Sequence, residues 1–232
     1  MVSSVDGRLA TARWSAPYRP ADVTDVYEGV ASGFHADGWI IGRTTMAEYA
    51  DCVTEHASEL LPADPAQMPE PFLSNRGGRM IAVAIDPKAK LLSSDCTLPT
   101  GEHLVMVLTP RAAPEHLAKL RAAGVSYVFE RDENDLAGAL EALEALFGVK
   151  TMLLEGGGVI NGAFLAAGLI DELSVVIYPA VDGLAGVSPI INHLGKPGER
   201  PAAKTHLELL GVQTDENGVV ALRYALHNEP ND

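Results

Sequence analysis

Short apolar runs alternate with amphipathic segments along most of this chain of 232 residues. Apolar runs typical of buried strands lie at residues 1–5, 39–41, 79–85, 103–108, 125–129, 151–154 and 171–178. Segments with helical character lie between them, at residues 22–34, 46–50, 114–123, 134–147 and 159–167. Residues 205–214 and 219–227 predict a hairpin around an Asp-Glu-Asn-Gly turn. This order indicates an α/β fold with a mostly parallel sheet, flanked by helices and finished by an antiparallel hairpin.

One segment, residues 51–78, departs from this alternation. It contains four prolines without a regular apolar period, which predicts an irregular insertion with a short helix near residues 56–61. Elsewhere Asp22 is positioned to cap the first helix, and Leu136, Leu140, Leu143 and Phe147 share one helical face that we assign to the core. The length suits one domain over residues 1–232.

Composition and charge exclude several classes of function. The net charge of −14 disfavours nucleic acids and anionic membranes as partners, because both require basic patches. No apolar run is long enough to span a bilayer, and the start lacks the pattern of a secretory signal, so we expect a cytoplasmic protein. Cys52 and Cys96 are too few and too isolated for a disulfide framework or structural zinc, and we expect no metal.

A glycine-rich turn separates the strand at 151–154 from the helix at 159–167. Gly156, Gly157 and Gly158 carry no Cβ, so a ligand can approach the main chain closely. The helix start, with Val159 and Ile160, offers free N–H groups that suit a phosphate, and Glu155 is expected to overhang the same crevice. The alternative is that the turn merely brings strand and helix together.

A second strand ends in a comparable way at Gly42-Arg43-Thr44-Thr45. Hydroxyl side chains at the start of a helix again suit a phosphate. Arg43 adds a forked cation of the kind that recognises a ribose 2′-phosphate, although a surface arginine beside a capping threonine is the alternative.

The first strand ends at Asp6-Gly7, a turn in which Asp6 either caps the backbone or faces a ligand. The following residues, 8–21, form a loop long enough to cover a site, and Trp14 is either a substrate-binding lid residue or part of the core. Ligands of parallel sheets bind outside the carboxyl ends of the strands, where Asp6, Gly42 and Gly156 all fall. The sequence therefore predicts one site at this edge.

Taken together, these motifs resemble the riboflavin-biosynthesis reductase family, the domain found at the carboxyl end of bifunctional deaminase-reductases. The resemblance covers nearly the whole chain and rests on five segments in the family's order: residues 4–8, 42–45, 154–158 with Asn161 and Leu165, 168–173, and Pro179 with Asp182-Gly183. It implies a dihydrofolate-reductase-like fold and an oxidoreductase that uses NADPH to reduce a ribosylaminopyrimidine 5′-phosphate. It also implies a homodimer.

The resemblance assigns roles to particular residues. The cofactor phosphates fall to Gly42–Thr45 and Gly156–Ile160, while Ser4, Asp6 and Glu155 face the substrate. Because the ribosylamine must open to an imine before C1′ can be reduced, either Asp6 or Glu155 is a candidate to move the proton. The lysine that the family usually carries before the first motif would lie ahead of Met1, so either the start is truncated or Arg8, Arg13 or Arg19 is a candidate for the substrate phosphate. The zinc ligands of a fused deaminase domain are absent as well.

Two other functions stay open from the residues alone. One is a reductase of a different pteridine-like or carbonyl substrate, since one fold supports many chemistries. The other is a nucleotide-binding protein that keeps the phosphate cradle but has no turnover.

Overall fold

A computed structural model describes residues 1–50, 52–54, 60–62, 68–131 and 135–229. The helix predicted near residues 56–61 lies mostly outside these residues. The chain forms two compact units, one of residues 1–34 and 156–232 and the other of residues 35–155. The single domain inferred from chain length stays a prediction.

The strands are β1 Val2–Ser4, β2 Gly38–Gly42, β3 Val53–Thr54, β4 Ile81–Ile85, β5 Leu91–Leu92, β6 His103–Leu108, β7 Ser126–Phe129, β8 Met152–Gly156, β9 Glu172–Tyr178, β10 Thr205–Thr214 and β11 Val220–Asn228. The helices are α1 Val23–Ala31, α2 Arg43–Tyr49, α3 Pro114–Ala122, α4 Leu136–Phe147 and α5 Gly158–Ala166. Short 3₁₀ helices occupy Thr11–Arg13 and Ser32–Phe34.

The unit of residues 35–155 is built on a five-stranded sheet with the strand order β7-β6-β4-β2-β8. Strand β4 pairs in parallel with β2 and β6, and β6 pairs in parallel with β7. All five residues of β4 and all six of β6 are buried, which explains why both sequences are apolar apart from His103 at the start of β6. The Asp37 carboxylate accepts hydrogen bonds from the N–H groups of Lys150 (2.7 Å) and Thr151 (3.0 Å), tying the start of β8 to the residue before β2.

The helices of this unit begin and end at residues that their sequences mark. Helix α3 begins with Pro114, a residue favoured in the first turn. Helix α4 is capped by the Asp135 carboxylate, which accepts from the Gly138 N–H at 2.8 Å, and it ends at Gly148 in the left-handed region (φ 69°). Of the four residues assigned to the core, Leu136, Leu143 and Phe147 are buried, while Leu140 is half-buried.

The other unit contains a four-stranded sheet with the order β1-β9-β11-β10. Strands β1 and β9 are parallel, and the hairpin of β10 and β11 joins them through antiparallel pairing of β11 with β9. Asp22 caps α1 as predicted, accepting from the N–H groups of Thr24 (2.8 Å) and Asp25 (3.2 Å). The apolar side of α1 packs on a small core of Val176, Tyr178, Ala180 and Val219.

The predicted α/β class, with a mostly parallel sheet and an antiparallel hairpin, is confirmed. The pairing of the hairpin with β9, in a sheet separate from the parallel one, was not visible in the sequence. Among the described residues, no helix has the length and apolar character needed to cross a membrane. Nor do three or more His, Cys, Asp or Glu side chains come together there as metal ligands.

Candidate functional site

The corner between β2 and α2 belongs to the unit of residues 35–155. Gly42 is the last residue of β2 and the N-cap of α2, and no side chain caps this helix start. The helix begins at Arg43, three residues earlier than its apolar spacing indicated, so Arg43, Thr44 and Thr45 form its first turn. This corner therefore presents backbone donors, hydroxyl groups and a cation together, which is a suitable set of groups for a phosphate.

Arg43 has a partner within the protein. Its Nε lies 3.9 Å from Oδ1 of Asp86, the residue that follows β4, and its side chain is 33% exposed while that of Asp86 is fully buried. The other carboxylate oxygen of Asp86 accepts from the N–H groups of Lys90 (2.6 Å) and Leu91 (2.7 Å). Arg43 is thus neither a purely exposed surface cation nor fully committed to an internal ion pair.

The glycine turn after β8 differs from the prediction in its boundaries. The strand continues through Glu155 and Gly156, and Gly157 caps α5 with φ 72° and ψ 135°, a backbone conformation that side-chain-bearing residues rarely adopt. No side chain caps the start of α5 either. Gly158 is the first helical residue, followed by the exposed Val159 and the half-buried Ile160.

The protein itself takes up the space beside α5. A Cβ on Gly158 would lie 2.2 Å from the carbonyl oxygen of Pro189, and one on Gly162 would lie 2.5 Å from the backbone of Asn192. Two hydrogen bonds hold this crossing segment: the Asn192 N–H donates to the Gly158 carbonyl at 2.8 Å, and the Asn161 amide donates to the Ile190 carbonyl at 2.8 Å. At Gly158 the close approach expected of a ligand is therefore made by residues 188–192 of the same chain.

In the unit of residues 1–34 and 156–232, Asp6 is an organising acceptor. Its carboxylate accepts from the Ser4 hydroxyl at 2.6 Å, from the Asp182 N–H at 3.1 Å and from the Gly183 N–H at 2.9 Å. The Ser4 hydrogen bond, followed by those of the two backbone groups, holds the pKa of Asp6 far below its ordinary range. Asp6 is therefore ionised at neutral pH and fixes the loop after β9 to the end of β1.

The loop residue Asp182 is itself fixed by Arg13. The guanidinium binds the carboxylate through Nε (2.9 Å) and Nη2 (3.1 Å), and this pairing lowers the pKa of Asp182. The edge of the Arg13 guanidinium that carries Nε and Nη2 is thus used inside the protein. The other two arginines proposed for a substrate phosphate also have partners, since Arg8 donates to the Val187 carbonyl at 2.7 Å and Arg19 to the Glu216 carbonyl at 2.8 Å.

The two remaining candidates near the first strand lie inside the fold. Ser4 is buried, and its oxygen both donates to Asp6 and accepts from the Arg8 N–H at 3.0 Å. Trp14 is partly buried and stacks on Tyr178 with ring centroids 5.5 Å apart, against the small core of this unit. Ser4 therefore fixes Asp6, and Trp14 packs on the core of the unit to which Asp6 belongs.

The predicted site draws on both units. Asp6 and the glycines of the turn belong to one unit, while Gly42, Arg43 and Glu155 belong to the other. Strand β8, which ends in Glu155-Gly156, neighbours β2 in the five-stranded sheet. A common site for all of these residues stays a prediction.

The roles of Asp86, Asp182 and Asn161 were not predicted from the sequence. Asp86 follows the strand predicted at residues 79–85, and an acidic residue before proline at the end of a mostly apolar run could have drawn attention to it. Asp182 and Asn161 were part of the family pattern, but their partners, Arg13 and Ile190, are distant in sequence. Nothing in the local sequence identifies these contacts.

Comparison with known proteins agrees with this fold. Over 181 residues, the chain is 26% identical to the 2,5-diamino-6-ribosylamino-4(3H)-pyrimidinone 5′-phosphate reductase of Methanothermobacter thermautotrophicus, which covers 78% of this chain and 76% of that protein. A pyrimidine reductase-like protein from Corynebacterium diphtheriae has a similar structure, with a TM-score of 0.66 and 20% identity, covering 98% of this chain and 90% of that one. RibD of Acinetobacter baumannii matches with a TM-score of 0.60 and 19% identity, over 98% of this chain and 56% of that one.

The model of the RibD C-terminal domain family matches residues 1–221. The chain therefore belongs to the RibD C-terminal domain family, and the resemblance inferred from the five sequence segments is confirmed.

Proposed function

We propose that this protein is an NADPH-dependent reductase that acts on C1′ of a ribosylaminopyrimidine 5′-phosphate, in riboflavin biosynthesis or a closely related reaction. The observation that carries the proposal is the family match over residues 1–221. It is supported by the Methanothermobacter relative, which is named as a reductase of such a phosphate. An oxidoreductase with a small phosphorylated substrate follows from that relationship.

The residues at the corner between β2 and α2 and at the glycine turn after β8 suit a phosphate-bearing cofactor. Among the described residues, no side chain caps the helix starts at Gly42 and Gly157, so each leaves N–H groups for an anion. Arg43, one-third exposed, would bind the 2′-phosphate that distinguishes NADPH from NADH. Because residues 188–192 already cover Gly158, the residues that would hold the cofactor are the others of the two segments: Gly42, Arg43, Thr44, Thr45, Gly156, Gly157, Val159 and Ile160. NADPH would supply the hydride.

The two candidate carboxylates are given different roles. Asp6 is kept ionised by Ser4 and by two backbone donors, so at neutral pH it is a poor proton donor and a poor base. Its role is to fix the loop at Asp182 and Gly183 and to supply a negative charge. Glu155, half-buried at the end of β8, is the proposed proton donor or acceptor at the substrate.

The phosphate of the substrate needs a cation near the first strand. Arg13 is occupied by its paired contact with Asp182, whereas Arg8 and Arg19 each use Nη1 to donate to a carbonyl group. Arg8 or Arg19 is therefore the proposed phosphate ligand, with Ser4 and Trp14 supporting the same wall of the site.

The test follows the loss of NADPH absorbance with the ribosylaminopyrimidine phosphate and, in parallel, with pteridine and carbonyl substrates. Glu155→Gln is expected to lower kcat by about 100-fold or more, because the proton transfer is lost, with little change in NADPH affinity. Asp215→Asn is the control, since it likewise replaces a carboxylate with an amide but lies in the hairpin turn, where Asp215 accepts the N–H groups of Asn217 and Val219. NADPH binding without oxidation of any substrate would refute the reductase proposal and favour the nucleotide-binding alternative.

We also propose that the protein is a cytoplasmic homodimer. Support for the dimer comes from β10, which is the last strand of its sheet and carries four half-exposed apolar side chains, Leu207, Leu209, Leu210 and Val212. An edge strand with exposed apolar side chains favours pairing with another chain, here a second copy. Light scattering of the parent protein should give twice the monomer mass, and Leu209→Lys should reduce the measured mass to that of the monomer. A parent protein with the mass of a monomer would refute the dimer.

A further inference from the structure

The pairing register of the parallel sheet brings Arg43 and Asp86 together. Gly42 on β2 is the pairing partner of Ile85 on β4, so the next residues of the two strands, Arg43 and Asp86, leave the sheet side by side. Asp86 also continues the ladder, since its N–H donates to the Val107 carbonyl of β6 at 2.9 Å. The position of this carboxylate is therefore set by the central strands of the sheet.

The two oxygens of Asp86 have different surroundings. Oδ2 accepts two backbone hydrogen bonds, whereas the buried Oδ1 accepts none from the described residues and faces the Arg43 guanidinium at 3.9 Å. That distance is too long for a hydrogen bond, so the interaction between them is one of charge. Burial raises the pKa of the Asp86 carboxyl, while its backbone donors, Arg43 and His116 of α3 act in the opposite direction.

This arrangement changes what Arg43 offers to an anion. A phosphate that binds at the exposed side of the guanidinium is attracted by Arg43 but repelled by the carboxylate behind it. Because solvent screens the charges on the phosphate side, we expect this repulsion to lower the affinity for the phosphate by only about fivefold. The overall charge of −14 adds no compensating attraction.

We propose that Asp86 sets the cofactor specificity of this protein by weakening the preference of Arg43 for a 2′-phosphate. The proposal rests on the function proposed above, in which Arg43 binds that phosphate. Arg43 is the contact residue and Asp86 acts through it. The carboxylate narrows the difference between NADPH and NADH without contributing a contact of its own to either cofactor.

The experiment measures binding by calorimetry of two adenosine fragments that differ by a single group, 2′,5′-ADP and 5′-AMP. The quantity of interest is the ratio of their Kd values, which isolates the contribution of the 2′-phosphate. The variants are Asp86→Asn, Asp86→Ser and Arg43→Gln, with the double variant D86N/R43Q. Asp86→Ser keeps a small side-chain oxygen as an acceptor for the Lys90 and Leu91 N–H groups and serves if Asp86→Asn does not fold.

The matched control is Glu130→Gln. Glu130 is another buried carboxylate that directly follows a strand of this sheet, β7, which is separated from β4 by β6. Removing its charge should leave the ratio unchanged, because the strand it follows is three strands away from β2, which Arg43 follows. Far-ultraviolet circular dichroism and the Tm establish that each variant is folded.

The expected result is a preference for 2′,5′-ADP that rises about fivefold in Asp86→Asn and Asp86→Ser and disappears in both variants that carry Arg43→Gln. An unchanged or lower preference in a folded Asp86 variant, with Arg43→Gln still abolishing it, would overturn the inference and leave the cofactor site in place. If Arg43→Gln leaves the ratio unchanged both in the parent protein and in Asp86→Asn, Arg43 does not belong to the cofactor site. That result would refute the inference as well.

Discussion

Replacing Gly162 with alanine should destabilise this protein, although glycine to alanine inside a helix usually stabilises. In a solvent-exposed helix the substitution stabilises the folded state by up to about 1 kcal/mol, because alanine loses less conformational entropy than glycine on folding. Here the added Cβ would lie 2.5 Å from the carbonyl carbon of Asn192 and from the N of His193. Both are backbone atoms, so the crossing segment must move by roughly 1 Å to restore an ordinary contact distance.

That movement puts the two hydrogen bonds of the crossing segment at risk. The amide of Asn161 is buried, and the loss of its bond to the Ile190 carbonyl leaves a polar group without compensation, at about 1 to 3 kcal/mol. The bond from the Asn192 N–H to the Gly158 carbonyl adds about 1 kcal/mol. After subtraction of the helix-propensity gain, Gly162→Ala is expected to destabilise by about 1 to 3 kcal/mol.

Gly29→Ala is the control for this prediction. Gly29 lies within α1, and a Cβ there would meet no atom within 4 Å. It should stabilise by about 0.5 to 1 kcal/mol. For a chain of this size the Tm should rise by about 1 to 4 °C in Gly29→Ala and fall by about 2 to 12 °C in Gly162→Ala.

Differential scanning calorimetry measures both variants, and hydrogen exchange locates the effect. Exchange should accelerate in residues 158–166 and 187–193 of Gly162→Ala and stay unchanged in those segments of Gly29→Ala. If Gly162→Ala is as stable as the parent protein, or more stable, the crossing segment does not pack on α5 as described here.

Three further changes test other parts of the fold. Burial, together with the nearby Arg79 and Arg76, lowers the pKa of His103 to about 4, below its ordinary value of 6.5. The unfolded chain therefore takes up the proton first as the pH falls. The free energy of unfolding should decline by roughly 1 to 3 kcal/mol between pH 6.5 and pH 4. His103→Gln should flatten this pH dependence in denaturant titrations, and an unchanged slope would contradict it. Asp6→Asn should speed hydrogen exchange at Gly183, whose N–H it binds, and intact protection there would exclude the anchoring role. Asp22→Ala should lower stability by about 1 kcal/mol through loss of the α1 cap, as measured by the denaturation midpoint, and no change would mean that the cap is not formed in solution.

Much of the fold could be predicted from the sequence because the signals are local. Strand β6 was predicted with the bounds that the structure has, since a short, mostly apolar run rich in valine and leucine is typical of a strand buried on both faces. The Asp22 cap and the hairpin turn at residues 215–218 depend on neighbouring residues only. Five short motifs in order were sufficient to identify the family.

The sequence alone also determined which residues are the candidates for chemistry, but not what each of them contacts. That Arg43 faces Asp86, that Asp6 is held by Gly183, and that residues 188–192 cover Gly158 was decided by the tertiary structure alone. The physical reason is that local backbone preference depends on residues a few positions apart. The charge on a carboxylate and the space beside a glycine depend instead on groups that strand pairing and loop packing bring from distant parts of the sequence.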